Sequence, residues 1–374
     1  MALDSAGLGL RIADARQRSG LKQEDLARSS GLERSAIAKI ETGARRVTAL
    51  ELARIARAVG ERIEWFVDEP APSIVSHRNL ADPGEPSPRI DDAIDRVVRG
   101  VEFTAAHDRG LRDVLQSVPV FEEPTNAVET EALSEHAREL LGIERDEPLH
   151  GLSSKLVAAG VLTFVIDLGS ESADAGSVHL QTGAVAIVNG VLRTGRRRLA
   201  LAHEFGHVLV ADEYTVDWRV DSSTASIRER ALDQFARALL LPRASLAAQW
   251  QRWGGSDSDT TRVAAVRVAS HFRVDMSTLA RRLLELDLID SGTAAYVRTV
   301  RTGRADIVEN DLVVADELPA GELPRQYEAA VLRLYSSETV SDIRALDLLL
   351  DTWEPGDLPP LAPRVESEIW QFVS

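Results

Sequence analysis

Apolar residues recur at a helical period through the first 67 residues. Leu8, Ile12 and Ala15 share one helix face, and Leu50, Ala53, Ile55, Ala56 and Val59 another. With glycines at 20, 31, 43 and 60 as punctuation, this predicts five short helices between Leu8 and Val67. In "KQEDLARSSGLERSAIAKIETG", Leu26 and Ala27 sit on one helix, Gly31 makes a turn, and Ile37 and Ile40 bury the next helix. Arg34, Ser35, Ala36 and Lys39 are left exposed, which is a helix-turn-helix arrangement. From Glu69 to Asp92 the period is lost, and five of the chain's fifteen prolines fall there. Such a stretch excludes a helix or an inner strand and predicts a linker or extended arm.

Residues 91–118 read as a helix or helical pair. Between Thr130 and Leu168 two helices lead to a strand, "VLTFVIDL", and "SVHLQTGAVAIVN" reads as two short strands around Gln181, Thr182 and Gly183. In "RRRLALAHEFGHVLVADE" the residues Leu199, Ala202, Phe205, Val208 and Leu209 form the buried face of a helix. In "SIRERALDQFARALLLP" the apolar side is Ile227, Leu232, Phe235, Ala236, Leu239 and Leu240. A helix-turn-helix-like pair across 266–289 closes this region. Residues 296–314 predict a β-hairpin, followed by two helices and a Pro-rich acidic tail.

Composition narrows the chemistry. The chain of 374 residues is 44% hydrophobic and 27% charged, enough to build real cores in two or three domains. It has no cysteine, so disulfides and thiolate metal sites are excluded and any metal must bind His, Asp or Glu. No leader-like stretch opens it and no long apolar run interrupts it, so a cytoplasmic protein without membrane contact is expected. The net charge of −16 is uneven: residues 1–66 carry +3 and the rest −19. Only the first segment is therefore suited to approach a polyanion. Glu33 and Glu41, flanking the exposed helix, are expected to limit its non-specific affinity.

His203 and His207 lie four apart, hence on one helix side, where both imidazoles can reach one metal ion. Glu204 stands beside them, placed to take a proton from an activated water. Two histidines sharing a surface face are the competing explanation, and a second constellation weighs against it. Downstream of His207, after 21 intervening residues, Glu229 and Asp233 stand four apart on the next helix. Glu229 can supply a third ligand, while Asp233 can hydrogen-bond a ligand imidazole and fix its tautomer. This is the layout of Glu-liganded zinc peptidases. Tyr214 and His179 are the nearest candidates in sequence for an oxyanion donor, and "GAVAIVN" could take an extended substrate by strand addition. His271 reads as structural, and His77, His107, His136 and His150 lack ligand spacing.

Two resemblances follow from these residues. Residues 8–67 resemble the Xre/Cro-type repressor domains in the Gln after the first turn, the "LA…G" turn and the "I…IE.G" helix end. This implies that Gln23, Arg34, Ser35 and Lys39 face the major groove, with Arg45 and Arg46 at phosphates. A bundle used only for protein docking is the alternative. Residues 125–290, through "RRRLALAHEFGHVL", "ERALDQFARALLLP" and "GAVAIVN", resemble the ImmA/IrrE metallopeptidases, which often carry an Xre-type domain. Leu232 departs from the Ala common at that place. The resemblance implies His203, His207 and Glu229 as ligands of Zn2+, Glu204 as catalytic base and Asp233 as support.

The expected fold is α+β and multidomain. A five-helix, all-α DNA-binding domain (1–68), a Pro-rich linker (69–92) and a helical spacer (93–124) precede a zincin-like α+β metallopeptidase domain (125–292) and a mixed C-terminal region (293–374). The expected function is a DNA-binding zinc endopeptidase that regulates transcription. Its expected partners are an operator-like DNA duplex, a protein substrate (an Xre-type repressor, a partner antitoxin or its own linker) and a second copy of itself. The alternative is a repressor whose zinc fold is only a sensor or scaffold. A third, a toxin–antitoxin or phage-immunity component, differs mainly in biological context.

Overall fold

The computed structural model describes residues 5–19, 21–59, 63–67, 75–78, 88–170, 172–211, 222–254, 258–313 and 316–361. The chain divides into two compact units, Met1–Ser73 and Ile74–Ser374.

The first unit holds α1 (Ser5–Arg18), α2 (Gln23–Ser30), α3 (Arg34–Glu41), α4 (Ala49–Val59) and α5 (Ile63–Val67). Its core gathers Ile12, Ala15, Leu26, Ala27, Ile37, Ile40, Leu52, Ile55, Ala56, Val59 and Phe66. The α2–α3 turn depends on Gly31 at φ 69°, a left-handed conformation that only glycine adopts cheaply. Leu50 was expected in this core but is 74% exposed, and Leu52 is buried instead. A shift of two residues carries a side chain about 200° around a helix, so the neighbouring apolar position took the inward place.

The second unit is built on a sheet. It contains β1 (Val75–Arg78), α6 (Pro88–His107), α7 (Arg109–Val114), α8 (Ala127–Leu140), α9 (Leu152–Leu156), β2 (Val161–Ile166), β3 (Ala175–His179) and β4 (Ala184–Asn189). It continues with α10 (Thr194–Leu209), α11 (Ser222–Leu240), α12 (Arg243–Trp253), α13 (Ser258–Phe272) and α14 (Met276–Glu285). The last helices are α15 (Ser291–Thr299), α16 (Arg304–Glu309), α17 (Arg325–Ser336) and α18 (Asp342–Leu348). Among the described residues the strand order is β1-β3-β4-β2, with β1 and β4 antiparallel to β3 and β2 parallel to β4. Strand side chains alternate between faces. Ala175, Ala184, Ala186 and Val188 join the main core, against which α10 and α11 pack. Leu162, Phe164, Val185 and Ile187 are buried too, and Phe164 meets Tyr327 of α17 edge-on at 5.2 Å. Helix α6 packs on β3 and β4 and receives α17.

Four sequence expectations change here. Within 69–92, the expected linker, β1 adds to the edge of the sheet and α6 already begins at Pro88, a position that a helix's first turn tolerates because it needs no N–H there. "GAVAIVN" forms β4, flanked on both sides by β3 and β2, so no further strand can add to it. The hairpin at 296–314 is instead α15 and α16, with Ala294 and Val297 buried at helical spacing and Asp290 capping α15 through Thr293 N. Its apolar alternation fitted both periods, and the caps decide for helix. Ile227 is 53% exposed and does not join the buried side of α11. Of the tail, residues 362–374 lie outside the described residues.

Candidate functional site

Two helices build the centre of the second unit. From Ala200 to Leu209 every residue of α10 is buried, including both histidines and Glu204. Helix α11 comes close because position 206 is glycine: a Cβ there would lie 2.9 Å from the Phe235 ring and 3.2 Å from Leu232. Phe235 and Leu232 stand one turn or less from Asp233 and Glu229, so the same approach carries these carboxylates to the histidines.

The ligand atoms of His203, His207 and Glu229 lie within 4.8 Å of one another. Glu229 Oε2 is 3.2 Å from His203 Nε2, and Oε1 is 3.4 Å from His207 Nε2. The two Nε2 atoms face each other at 3.0 Å. Asp233 Oδ1 is 3.0 Å from His203 Nδ1, near enough to bias the orientation of that ring. Burial opposes ionisation of Glu229, but the hydrogen bond from His203 and the charge of both imidazoles outweigh it and hold the carboxyl below the usual range. Two imidazoles and a carboxylate that converge in this way form a donor set suited to a divalent metal ion.

Glu204 is fully buried. Its Oε2 accepts a 2.8 Å hydrogen bond from Ser177 Oγ on β3, while Oε1 has no hydrogen-bond partner among the described residues. A buried carboxylate oxygen without a partner is costly unless water, substrate or a cation meets it. That atom fits a metal site with a working base beside it. Ser177 went unnoticed in the sequence. It stands 27 residues from Glu204, and only the alternation of β3 could have placed it on the helix-facing side.

His179 follows two residues later on that side of β3. Burial lowers its pKa, against a hydrogen bond to the Val208 carbonyl, and its Nε2 is buried with no partner among the described residues. Tyr214, the other candidate oxyanion donor, lies outside the described residues. His271 carries a structural contact: its carbonyl is 3.0 Å from His150 Nε2.

In the first unit, Arg34, Ser35 and Lys39 are exposed on α3. Ser35, Lys39 and Arg45 line one depression together with Glu33 and the turn residues Gly31 and Leu32. Gln23 is half-buried and donates its amide to Glu41 Oε2 at 2.7 Å. Arg45 pairs with Glu51 at 2.6 Å, while Arg46 is exposed. Glu41, expected as a surface charge beside α3, is only 8% exposed. Arg16 engages both of its oxygens, at 2.6 and 3.2 Å, so the carboxylate ties α1 to α3 and presents no free charge to a ligand.

Fold and site thus join a helix-turn-helix unit to an α+β unit whose central helix bears an H-E-x-x-H metal-type constellation. Residues 12–66 match the helix-turn-helix family, and residues 158–284 match the peptidase family described as the IrrE N-terminal-like domain. The chain carries an Xre-type helix-turn-helix domain fused to an ImmA/IrrE-type domain, the make-up of a DNA-binding regulator with a peptidase-family part. No curated protein matches the chain. No described helix is long and apolar enough to cross a membrane.

Proposed function

We propose that the chain is a zinc-dependent endopeptidase that binds DNA and regulates transcription in the cytoplasm by cleaving an Xre-type repressor, or itself, after stress or mobile-element induction. The observation that carries this reading is the convergence of His203, His207 and Glu229 next to the unpartnered, buried Oε1 of Glu204.

His203, His207 and Glu229 would hold the zinc, and Asp233 orients His203. Bound zinc supplies Lewis acidity, making water more acidic and a peptide carbonyl more electrophilic. Glu204 Oε1 takes the proton of the attacking water and returns it to the leaving amine, while Ser177 holds the other oxygen in place. His179 is a candidate donor to the developing oxyanion through Nε2 only when the ring is protonated, because the neutral imidazole gives its single N–H to the Val208 carbonyl. On the DNA side, Gln23, Arg34, Ser35 and Lys39 read the major groove, Arg45 and Arg46 meet phosphates, and a homodimer presents two such helices to two half-sites.

The deciding experiment compares new protein N-termini in cells expressing the wild-type chain or Glu204→Gln, before and after DNA damage. Termini that require Glu204 are expected, and they name the target. Identical termini in both strains would overturn the peptidase reading in favour of a repressor with a silent metal fold.

A further inference from the structure

Of the four described strands, β3 carries the residue that touches the base, and its partner on the side away from β4 is β1. The other end of the sheet is closed differently. Val165 of β2 donates to the Glu322 carbonyl at 2.9 Å and accepts from Gly321 N at 2.8 Å, so that edge is held by the chain's own C-terminal region. An added strand could meet the outer edge of β1, one strand further from Glu204; to run beside the strand that holds Glu204 it has to pair with β3 itself.

That place is taken by residues 75–78. The register sets Ser76 opposite Ser177 and His77 opposite Gly176, in antiparallel pairing, and β1 also packs against α10. The backbone of β1 thus runs past the very residue that holds Glu204. A strand of four residues is short for a sheet, and prolines at 72 and 83 in the sequence limit its extension. Short edge strands are held by few ladder bonds and exchange readily for another strand. β1 begins two residues after Ser73, the last residue of the first unit, and is the first described strand of the second.

We propose that β1 is an internal occupant of the substrate strand's position, and that the protein acts on extended peptide segments which replace β1 on β3. This deepens the peptidase reading and, for hydrolysis, rests on it. Displacement of β1 is then the step that converts a latent site into an open one.

The test uses the full chain carrying Glu204→Gln, so that no probe is cut, in two versions: β1 intact, or residues 74–79 replaced by an equal length of Gly and Ser. The probe is a fluorescent synthetic peptide, PSIVSHRNLA, equal to residues 72–81, followed by fluorescence anisotropy. The replaced chain is expected to bind it at least about ten-fold more tightly than the intact one, because the intact chain must first release β1. Ser76→Pro, a milder disruption of the ladder, is expected to shift binding the same way. Equal binding by folded versions of all three chains would overturn the proposal. Hydrolysis of the same probe with Glu204 restored is measured separately. Tighter binding without Glu204-dependent cutting leaves β1 as an occupant but removes the peptidase reading, and cutting with equal binding does the reverse.

Discussion

Ser177 gives Glu204 a fixed orientation: with Oε2 tied at 2.8 Å, Oε1 is the only oxygen left to receive a proton. Ser177→Ala removes that tie without touching a metal ligand. Hydrolysis is expected to fall about 10–100-fold, in kcat rather than KM, with zinc content unchanged by elemental analysis. Ser177→Thr should recover part of the loss, since it restores a hydroxyl. A wild-type kcat in Ser177→Ala would show that the helix alone orients the base. Glu204→Gln should cost more, about 10²–10⁴-fold, because it removes the proton acceptor itself while leaving zinc in place.

At the scale of the element, the site depends on how closely α11 can lie against α10. Gly206→Ala puts a Cβ 2.9 Å from the Phe235 ring, so the helices must separate or the core must shift. Overpacking of this kind costs about 1–3 kcal/mol. Zinc affinity should fall with it, because Glu229 moves away from histidines that stay on α10. Competition against a chromophoric chelator checks this, and unchanged affinity would separate the packing from the site. In the first unit, Glu41→Gln should weaken the α1–α3 tie through Arg16 by about 1–3 kcal/mol. DNA binding should not improve, since the carboxylate was never a free surface charge. Thermal melting and a mobility shift test the two parts. These elements show what local pattern can carry. Helix-turn-helix and H-E-x-x-H are short-range spacings on single helices or neighbours, so they are readable from residue order. Leu50 and Ile227 went wrong because apolar character at a helical period does not choose between adjacent faces, and 296–314 because a short alternating run fits a strand as well as a helix. Glu41 and Ser177 take their meaning from partners 25 and 27 residues away, which no local period reports.

Across the whole second unit, the C-terminal region proves to be part of the frame that holds α10. Asp316 accepts from Thr194 Oγ1 at 2.9 Å and pairs with Arg197, while Glu317 pairs with both Arg198 and Arg273. Arg198 is fully buried, five residues before His203 on the same helix, and its guanidinium also reaches the Leu149 and Phe272 carbonyls. Glu317→Gln therefore leaves a buried cation without its counter-charge, and breaking such a pair costs about 3–5 kcal/mol. The same pair sets an acid limit. Burial works to raise the Glu317 pKa, but Arg198 and Arg273 outweigh it and hold the group below its ordinary 4.5. A carboxylate whose folded pKa is depressed stabilises fully above its unfolded value, and this contribution fades as pH falls through the folded one. The wild-type chain should accordingly lose stability as pH drops below about 4.5. Glu317→Gln should start from a lower stability and show a shallower acid slope, measured by urea unfolding at a series of pH values. An equal slope in both chains would assign the acid limit to other carboxylates.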